Sequence, residues 1–373
     1  MHSTPCLNKN LVAALPRLLR TSQPMIQAAL FGVLAATAIQ AQPAPTSTNN
    51  TGGAGGAPGG GFRRMMEDST NIVKLSSIHL RDVCILPDQA TKTYYMVGPG
   101  FRTVRVYTSE DLANWQGPRT IFRPATNIWD NIPVVNIWAP EMHTYHGKYY
   151  LFLTFDTRNR FPEQWRDWLP RVTRGSQILA SDSPVGPFTP FANHSTLPVD
   201  MMTLDGTFWV EDGVPYMVFC HEWVQIKDGT VESVRLKEDL SATDGEPKRL
   251  FNGSDASWSK KSDEYGCHVT DGPYLYKGKA GRLYMIWTSG GYTGYTTGIA
   301  ISDSGKLAGR WRQQAEPIYA KDGGHGMLFT TFEGRLMMVL HSPNGPGARP
   351  HVFEMEDTGQ TLRIVREFTG ETP

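Results

Sequence analysis

The chain has 373 residues, enough for one large all-β domain or two ordinary ones. Its 36 basic and 36 acidic residues cancel without any long like-charge run, which argues against nucleic acid or an anionic membrane surface as the main partner. Aromatic residues are plentiful, with 10 Trp, 14 Tyr and 16 Phe; most must fill core, but such faces also stack on neutral, hydroxyl-rich ligands.

Arg17 and Arg20 precede an apolar run from Met25 to Ala38, and Ile39-Gln-Ala41 offers a small-residue cleavage site before Gln42. Residues 1–41 therefore read as an export signal, and the mature protein is expected to be secreted or periplasmic. The apolar run is short for a membrane span, and no later segment is apolar enough to cross a bilayer. Residues 42–70 are rich in Gly, Pro, Thr and Asn and read as a flexible linker, with ordered structure expected from near Asn71. Three cysteines follow the signal: Cys84, Cys220 and Cys267. An odd count without close pairing is a poor disulfide framework and fits no zinc motif, so they read as small buried residues in strands.

From residue 71 to the end there is no convincing amphipathic helix. Short apolar runs recur between Gly, Pro, Asn and Asp clusters. Taking Tyr94, Tyr149, Tyr216, Tyr284 and Met337 as markers of bulky strands, the intervals are 55, 67, 68 and 53 residues. Most markers follow a turn signal such as His146-Gly or Asp212-Gly, and most are followed by a further strand ending in an acidic turn. Five units, each long enough for a four-stranded sheet, predict an all-β fold, a five-bladed β-propeller over 71–373. The run Phe353-Glu-Met-Glu-Asp and a short tail end it, and no accessory module is expected.

Upstream of each marker, where an innermost strand should begin, stands one ionisable residue: Asp82, Glu141, Asp205, Asp271 and His325. Innermost strands line the axial tunnel, so equivalent positions would ring one opening. Each has a plainer reading, since Asp before Gly is often a turn residue and Glu141 could brace a neighbouring blade. As a set, crowded carboxylates split their pKa values, and glycoside hydrolysis needs that split: one carboxylic acid protonates the leaving oxygen while a carboxylate activates water. Cys220-His-Glu-Trp should bring Glu222 and Trp223 to the same rim, and the segment Asp156 to Gln177, with Phe161, Trp165 and Trp168, is either a sugar-binding wall or a loop packed on its own blade.

Arg81-Asp82, Trp138-Ala-Pro-Glu141 with His146-Gly-Lys-Tyr-Tyr150, Asp205-Gly with Asp212-Gly, Thr270-Asp-Gly-Pro273 and Gly324-His-Gly326 together resemble glycoside hydrolase family 43, over roughly Ser77 to Glu354. The resemblance implies an inverting glycosidase acting on arabinofuranosyl linkages of plant-type polysaccharides, with xylosyl or galactosyl linkages as alternatives. It implies Asp82 as general base and Asp205 as orienter and pKa modulator. The family's acidic Glu-Gly-Pro is Asp271-Gly-Pro here, one methylene shorter, so the acid is expected to be Glu222 ahead of Asp271. Trp138, Glu141, Trp223 and His325 are expected to line the substrate site. His325 also resembles a histidine that in this family can sit beside an axial cation. No cofactor is expected to be required, with a structural calcium or sodium at His325 as the alternative to a hydrogen-bonded core histidine. The expected partner is a carbohydrate, with no nucleic acid or membrane, and the protein is expected to be a monomer. Two rivals stand beside this: a non-catalytic carbohydrate-binding propeller, and a retaining fructan-type hydrolase whose Asn-Asp-Pro motif does not occur. Inversion would place base and acid about 6.5 to 9.5 Å apart, retention about 5 Å.

Overall fold

A computed structural model of the protein describes residues 68–370. The expected export signal, residues 1–41, and most of the expected linker fall outside the described residues. Blade 1 holds β1 (Ile72–Lys74), β2 (Cys84–Asp88), β3 (Thr93–Gly100), β4 (Thr103–Ser109) and β5 (Asn114–Phe122). Blade 2 holds β6 (Val134–Tyr145), β7 (Lys148–Arg160), β8 (Val172–Ser181) and β9 (Thr189–Pro190). Blade 3 holds β10 (Thr203–Glu211), β11 (Val214–His221), β12 (Thr230–Arg235) and β13 (Lys248–Asn252). Blade 4 holds β14 (Asp271–Lys277), β15 (Leu283–Gly291), β16 (Gly294–Ser302) and β17 (Trp311–Gln313). Blade 5 holds β18 (Gly324–Thr330), β19 (Leu336–Ser342), β20 (Arg349–Asp357) and β21 (Leu362–Glu367). Each blade is an antiparallel meander of four strands in chain order, with β1 added outside β5 in blade 1, and the five make the expected five-bladed propeller.

Every marker residue lies on the second strand of its blade, and the packing explains why those strands read as unbroken apolar runs. Side chains alternate across a strand, so a sheet sandwiched between two others must be apolar on both faces. On β11, Met217 and Phe219 pack toward Phe152 and Ile178 of blade 2, while Val218 and Cys220 pack toward Met285 and Trp287 of blade 4. On β19, Met338 and Leu340 meet Ile286 and Ile299 of blade 4, and Met337 and Val339 meet Ile85 and Met96 of blade 1. The core is thus a set of apolar layers between blades. Cys84, Cys220 and Cys267 are all buried free thiols, as expected, but only Cys84 and Cys220 stand in strands; Cys267 lies in the loop that leads into β14.

The ring closes without a strand shared between its first and last blades. β1 adds to the outer edge of blade 1 beside β5, and Asp68 to Thr70, read as linker, lie along the same edge: Asp68 accepts the Thr120 N–H and Ser69 N–H reaches Pro118 O. Blades 5 and 1 join instead through the apolar layer and a few polar ties, including Phe332 N–H to Tyr94 Oη at 3.1 Å and Arg349 to Ser76 O at 2.6 Å. No helix of the described residues is long and apolar enough to cross a membrane.

Candidate active site

At the head of each innermost strand, or in blade 2 midway along the longer β6, one residue adopts a left-handed backbone: Asp82 (φ 49°), Ala139 (φ 41°), Asp205 (φ 56°), Gly272 (φ 50°) and His325 (φ 51°). In blades 2 to 5 the ladder slips at that point. A left-handed residue in a bulge turns its side chain out of the pleat, here toward the axis. The equivalent positions are therefore 82, 139, 205, 272 and 325, not the set expected from sequence: Glu141 lies two residues beyond its head and Asp271 one before. The other heads reach the same φ with larger residues, so what favours glycine at 272 is space: a Cβ there would stand 3.0 Å from the His325 ring.

Three heads converge. His325 Nδ1 lies 3.7 Å from Asp82 Oδ1 and 3.8 Å from Asp205 Oδ2. Burial pushes the Asp82 carboxyl up, but Arg81, His325 and His341 together outweigh it and hold the group at about 2. Arg81 Nε donates to Asp82 Oδ2 at 3.1 Å. Asp205 is raised well above the ordinary carboxyl range by burial, against the Gly272 N–H that donates to its Oδ2 at 3.0 Å. Asp271 is pushed up to about 7, first by burial and then by the charge of Asp205. Its Oδ2 accepts the Tyr295 hydroxyl at 2.8 Å.

Glu222 follows β11 and its N–H donates to Met202 O. Both its oxygens are taken by Arg174 Nη1, at 2.5 and 2.6 Å. The same guanidinium donates from Nε to Asp156 Oδ1 at 2.9 Å and covers the Trp138 ring at 4.1 Å. Burial raises Glu222 even against the Arg174 charge. Trp223 is buried beneath Trp168 and Tyr265, so the open aromatic surface at this rim belongs to its neighbours. Glu141 sits deeper along the tunnel, paired with His143 at 2.8 Å. His143 in turn lines a cavity of about 280 Å³ with inner-strand residues such as Ile85, Met142, Tyr274 and Met327.

Arg174, Tyr295 and His341 belong to this constellation and carry no sequence signal that sets them apart. They stand on second or third strands, where polar residues are unremarkable until the blades are assembled. His325 Nε2 and Asp82 Oδ1 are both buried without a hydrogen-bond partner, donor atoms of the kind an axial cation would take. Among the described residues, no three His, Cys, Asp or Glu side chains converge as a ligand group.

Beside Arg174 opens a second cavity of about 250 Å³, lined by Trp129, Ile132, Thr173, Asn193, His194 and Val199 among others. Phe101, in the turn between β3 and β4, and Tyr292, between β15 and β16, are 66% and 76% exposed. The antiparallel order puts both turns on the face that carries Asp82.

The family model for glycosyl hydrolases family 43 matches residues 76–366. Among solved structures, an endo-arabinase from Bacteroides thetaiotaomicron is similar at 36% identity and a TM-score of 0.68, covering 80% of this chain and 99% of that one. Among curated proteins, a probable arabinan endo-1,5-alpha-L-arabinosidase C of Aspergillus niger is 26% identical over 44% of each chain. An extracellular exo-alpha-(1->5)-L-arabinofuranosidase of Streptomyces avermitilis is 22% identical over 59% of this chain and 46% of its own. The matched region spans less than half the length of these two curated relatives. With a family match across the propeller and convergent carboxylates at its axis, the chain belongs to glycosyl hydrolases family 43.

Proposed function

We propose that this protein hydrolyses α-L-arabinofuranosyl linkages of an arabinan-type polysaccharide with inversion, using Asp82 as base and Asp271 as acid. The observation that carries the reading is the split between them: one carboxyl at about 2 and another at about 7 in the same site. Two carboxyls pushed apart by their surroundings assign the acid and base roles. Asp82, ionised, takes a proton from a water that attacks the anomeric carbon. Asp271, protonated, delivers its proton to the departing glycosidic oxygen. Asp205 grips the Gly272 N–H beside the acid and raises it by charge, an orienting and tuning role.

This reverses the order expected for the acid. Glu222 gives both oxygens to Arg174 and is buried, so a proton there would break an ion pair at each turnover. Asp271 is half-buried and spends only one oxygen on Tyr295. We assign Glu222 with Arg174 to bracing Trp138 and the rim instead.

Arabinose as the substrate sugar is supported by the names of the relatives above, and a polymeric substrate by the exposed Phe101 and Tyr292 and the cavity next to Arg174. The Streptomyces relative's name calls it extracellular, in keeping with an export signal over residues 1–41. The test is incubation of the full chain with linear arabinan and arabino-oligosaccharides, following fresh product by proton NMR. Release of sugar with the anomeric configuration opposite to the substrate's is expected, abolished by Asp82→Asn. Binding without release would leave a carbohydrate-binding propeller, and retained configuration would sink the inverting assignment.

A further inference from the structure

The N–H of a left-handed strand head cannot join its own ladder, and three heads solve this alike. Asp205 N–H donates to Thr154 Oγ1 and His325 N–H to Thr288 Oγ1, each at 3.0 Å. Asp82 N–H donates to His341 Nδ1 at 3.1 Å. Each acceptor stands on the second strand of the preceding blade. Each also occupies the same register: Thr154 pairs with Trp138, Thr288 with Asp271 and His341 with Gly324, always the residue just before that blade's own head. Two of these equivalent sites are threonine. The one that serves Asp82 is histidine.

We propose that His341 is a positioning residue that fixes Asp82 for catalysis by accepting its backbone N–H and tying it, through Asn344, to Arg81. The proposal rests on the reading of Asp82 as the base. Nδ1 stands 3.1 Å from the Asp82 N–H and 3.4 Å from Asp82 Oδ1; accepting the N–H, which only donates, requires Nδ1 unprotonated and puts the ring proton of a neutral imidazole on Nε2. Nε2 stands 3.3 Å from Asn344 Oδ1, which also accepts Arg81 Nη2 at 3.1 Å. Arg81 Nε returns to Asp82 Oδ2. The hydrogen bonds thus run in a closed loop from the Asp82 backbone to its carboxylate. A threonine at this position could cap the N–H but has no second ring nitrogen to continue the loop.

The surroundings keep the ring neutral and still. His341 is fully buried, and burial lowers it to about 4 despite the nearby Asp82 charge. Its face stacks on Tyr295, centroids 5.7 Å apart and 27° from parallel, and Tyr295 donates to Asp271. One imidazole therefore backs the base directly and lies against the residue that holds the acid.

The test uses the full chain with His341→Asn and His341→Leu. Asn offers an acceptor oxygen as far from its Cα as Nδ1 is, whereas Leu has similar bulk and no acceptor. His341→Leu is expected to have a kcat about tenfold or more below His341→Asn, with KM within about twofold and matching melting curves. Equal kcat in the two variants, with Asp82→Asn inactive, would overturn the proposal while leaving the glycosidase reading intact. Nitrogen-15 NMR of the wild-type ring decides it without turnover: a neutral ring with the proton on Nε2 is expected between about pH 6 and 7.5. A proton on Nδ1 would refute it even if no sugar were cleaved, an outcome that would sink the glycosidase reading separately.

Discussion

Tyr295 donates its hydroxyl to Asp271 Oδ2 at 2.8 Å, a bond that favours the ionised carboxyl and so opposes the burial that raises it. With Asp271 as acid, activity requires its proton and is lost as pH rises through about 7; the base requires a lost proton and fails only as pH falls toward about 2. Tyr295→Phe removes the opposing bond. The alkaline limb of kcat/KM should move up by as much as about one pH unit while kcat drops about tenfold from a less well-held acid. A pH–rate profile with an unmoved alkaline limb would refute the assignment of Asp271.

Asp205→Asn should move the same limb the other way. The Asp205 charge is the second cause of the high Asp271 value, and an amide keeps an oxygen for the Gly272 N–H while removing that charge. Asp271 then loses its proton at lower pH, so activity near pH 7 falls first and most. Asp205 and Glu222 also feel each other's charge, so the discriminating arm is Tyr295→Phe: its upward displacement would be hard to obtain if the titrating acid were Glu222, because the Tyr295 hydroxyl bonds Asp271.

Much of this architecture was legible because a blade writes the same constraints five times. Tyr94, Tyr149, Tyr216, Tyr284 and Met337 repeat since every second strand is buried on both faces, and that burial leaves a signal in composition alone. Asp82, Asp205 and His325 were legible as heads because polar residues flanked by Gly or Arg stand out against apolar strands. Ala139 and Gly272 were not, since the feature they share with the other heads is a backbone angle. Arg174 and His341 were illegible for a different reason: His341 meets Asp82 across 259 positions, and only closing the ring brings blade 5 against blade 1.

Leaving-group dependence separates the two acid candidates. On natural arabino-oligosaccharides Asp271→Asn should lower kcat by about 10²–10⁴-fold, and far less on an aryl arabinoside whose phenolate departs without a proton. Glu222→Gln should affect both substrates equally, since it half-empties the Arg174 clamp over Trp138. It should also lower Tm, because breaking a buried pair costs up to about 3–5 kcal/mol, part of which the remaining Asp156 contact offsets. The reverse pattern would return the acid role to Glu222.

Gly298→Ala tests the blade packing apart from the chemistry. A Cβ at Gly298 on β16 would stand 2.0 Å from Trp258 Cζ2 and 2.2 Å from its Cε2, far inside contact distance. Trp258 has little room to retreat, because it lies 4.6 Å from the ring of Trp287, which is fully buried and fixed by its Nε1–H to Gln313 at 2.9 Å. Overpacking of this kind costs about 1–3 kcal/mol, so Tm should fall by about 2–5 °C in a domain of this size, with kcat at 25 °C retained. Adding Trp258→Leu vacates the clashing volume, so the double variant should be more stable than the sum of the single losses predicts. Strict additivity, or an unchanged Tm in Gly298→Ala, would mean that Trp258 is not wedged between blades 3 and 4 as described.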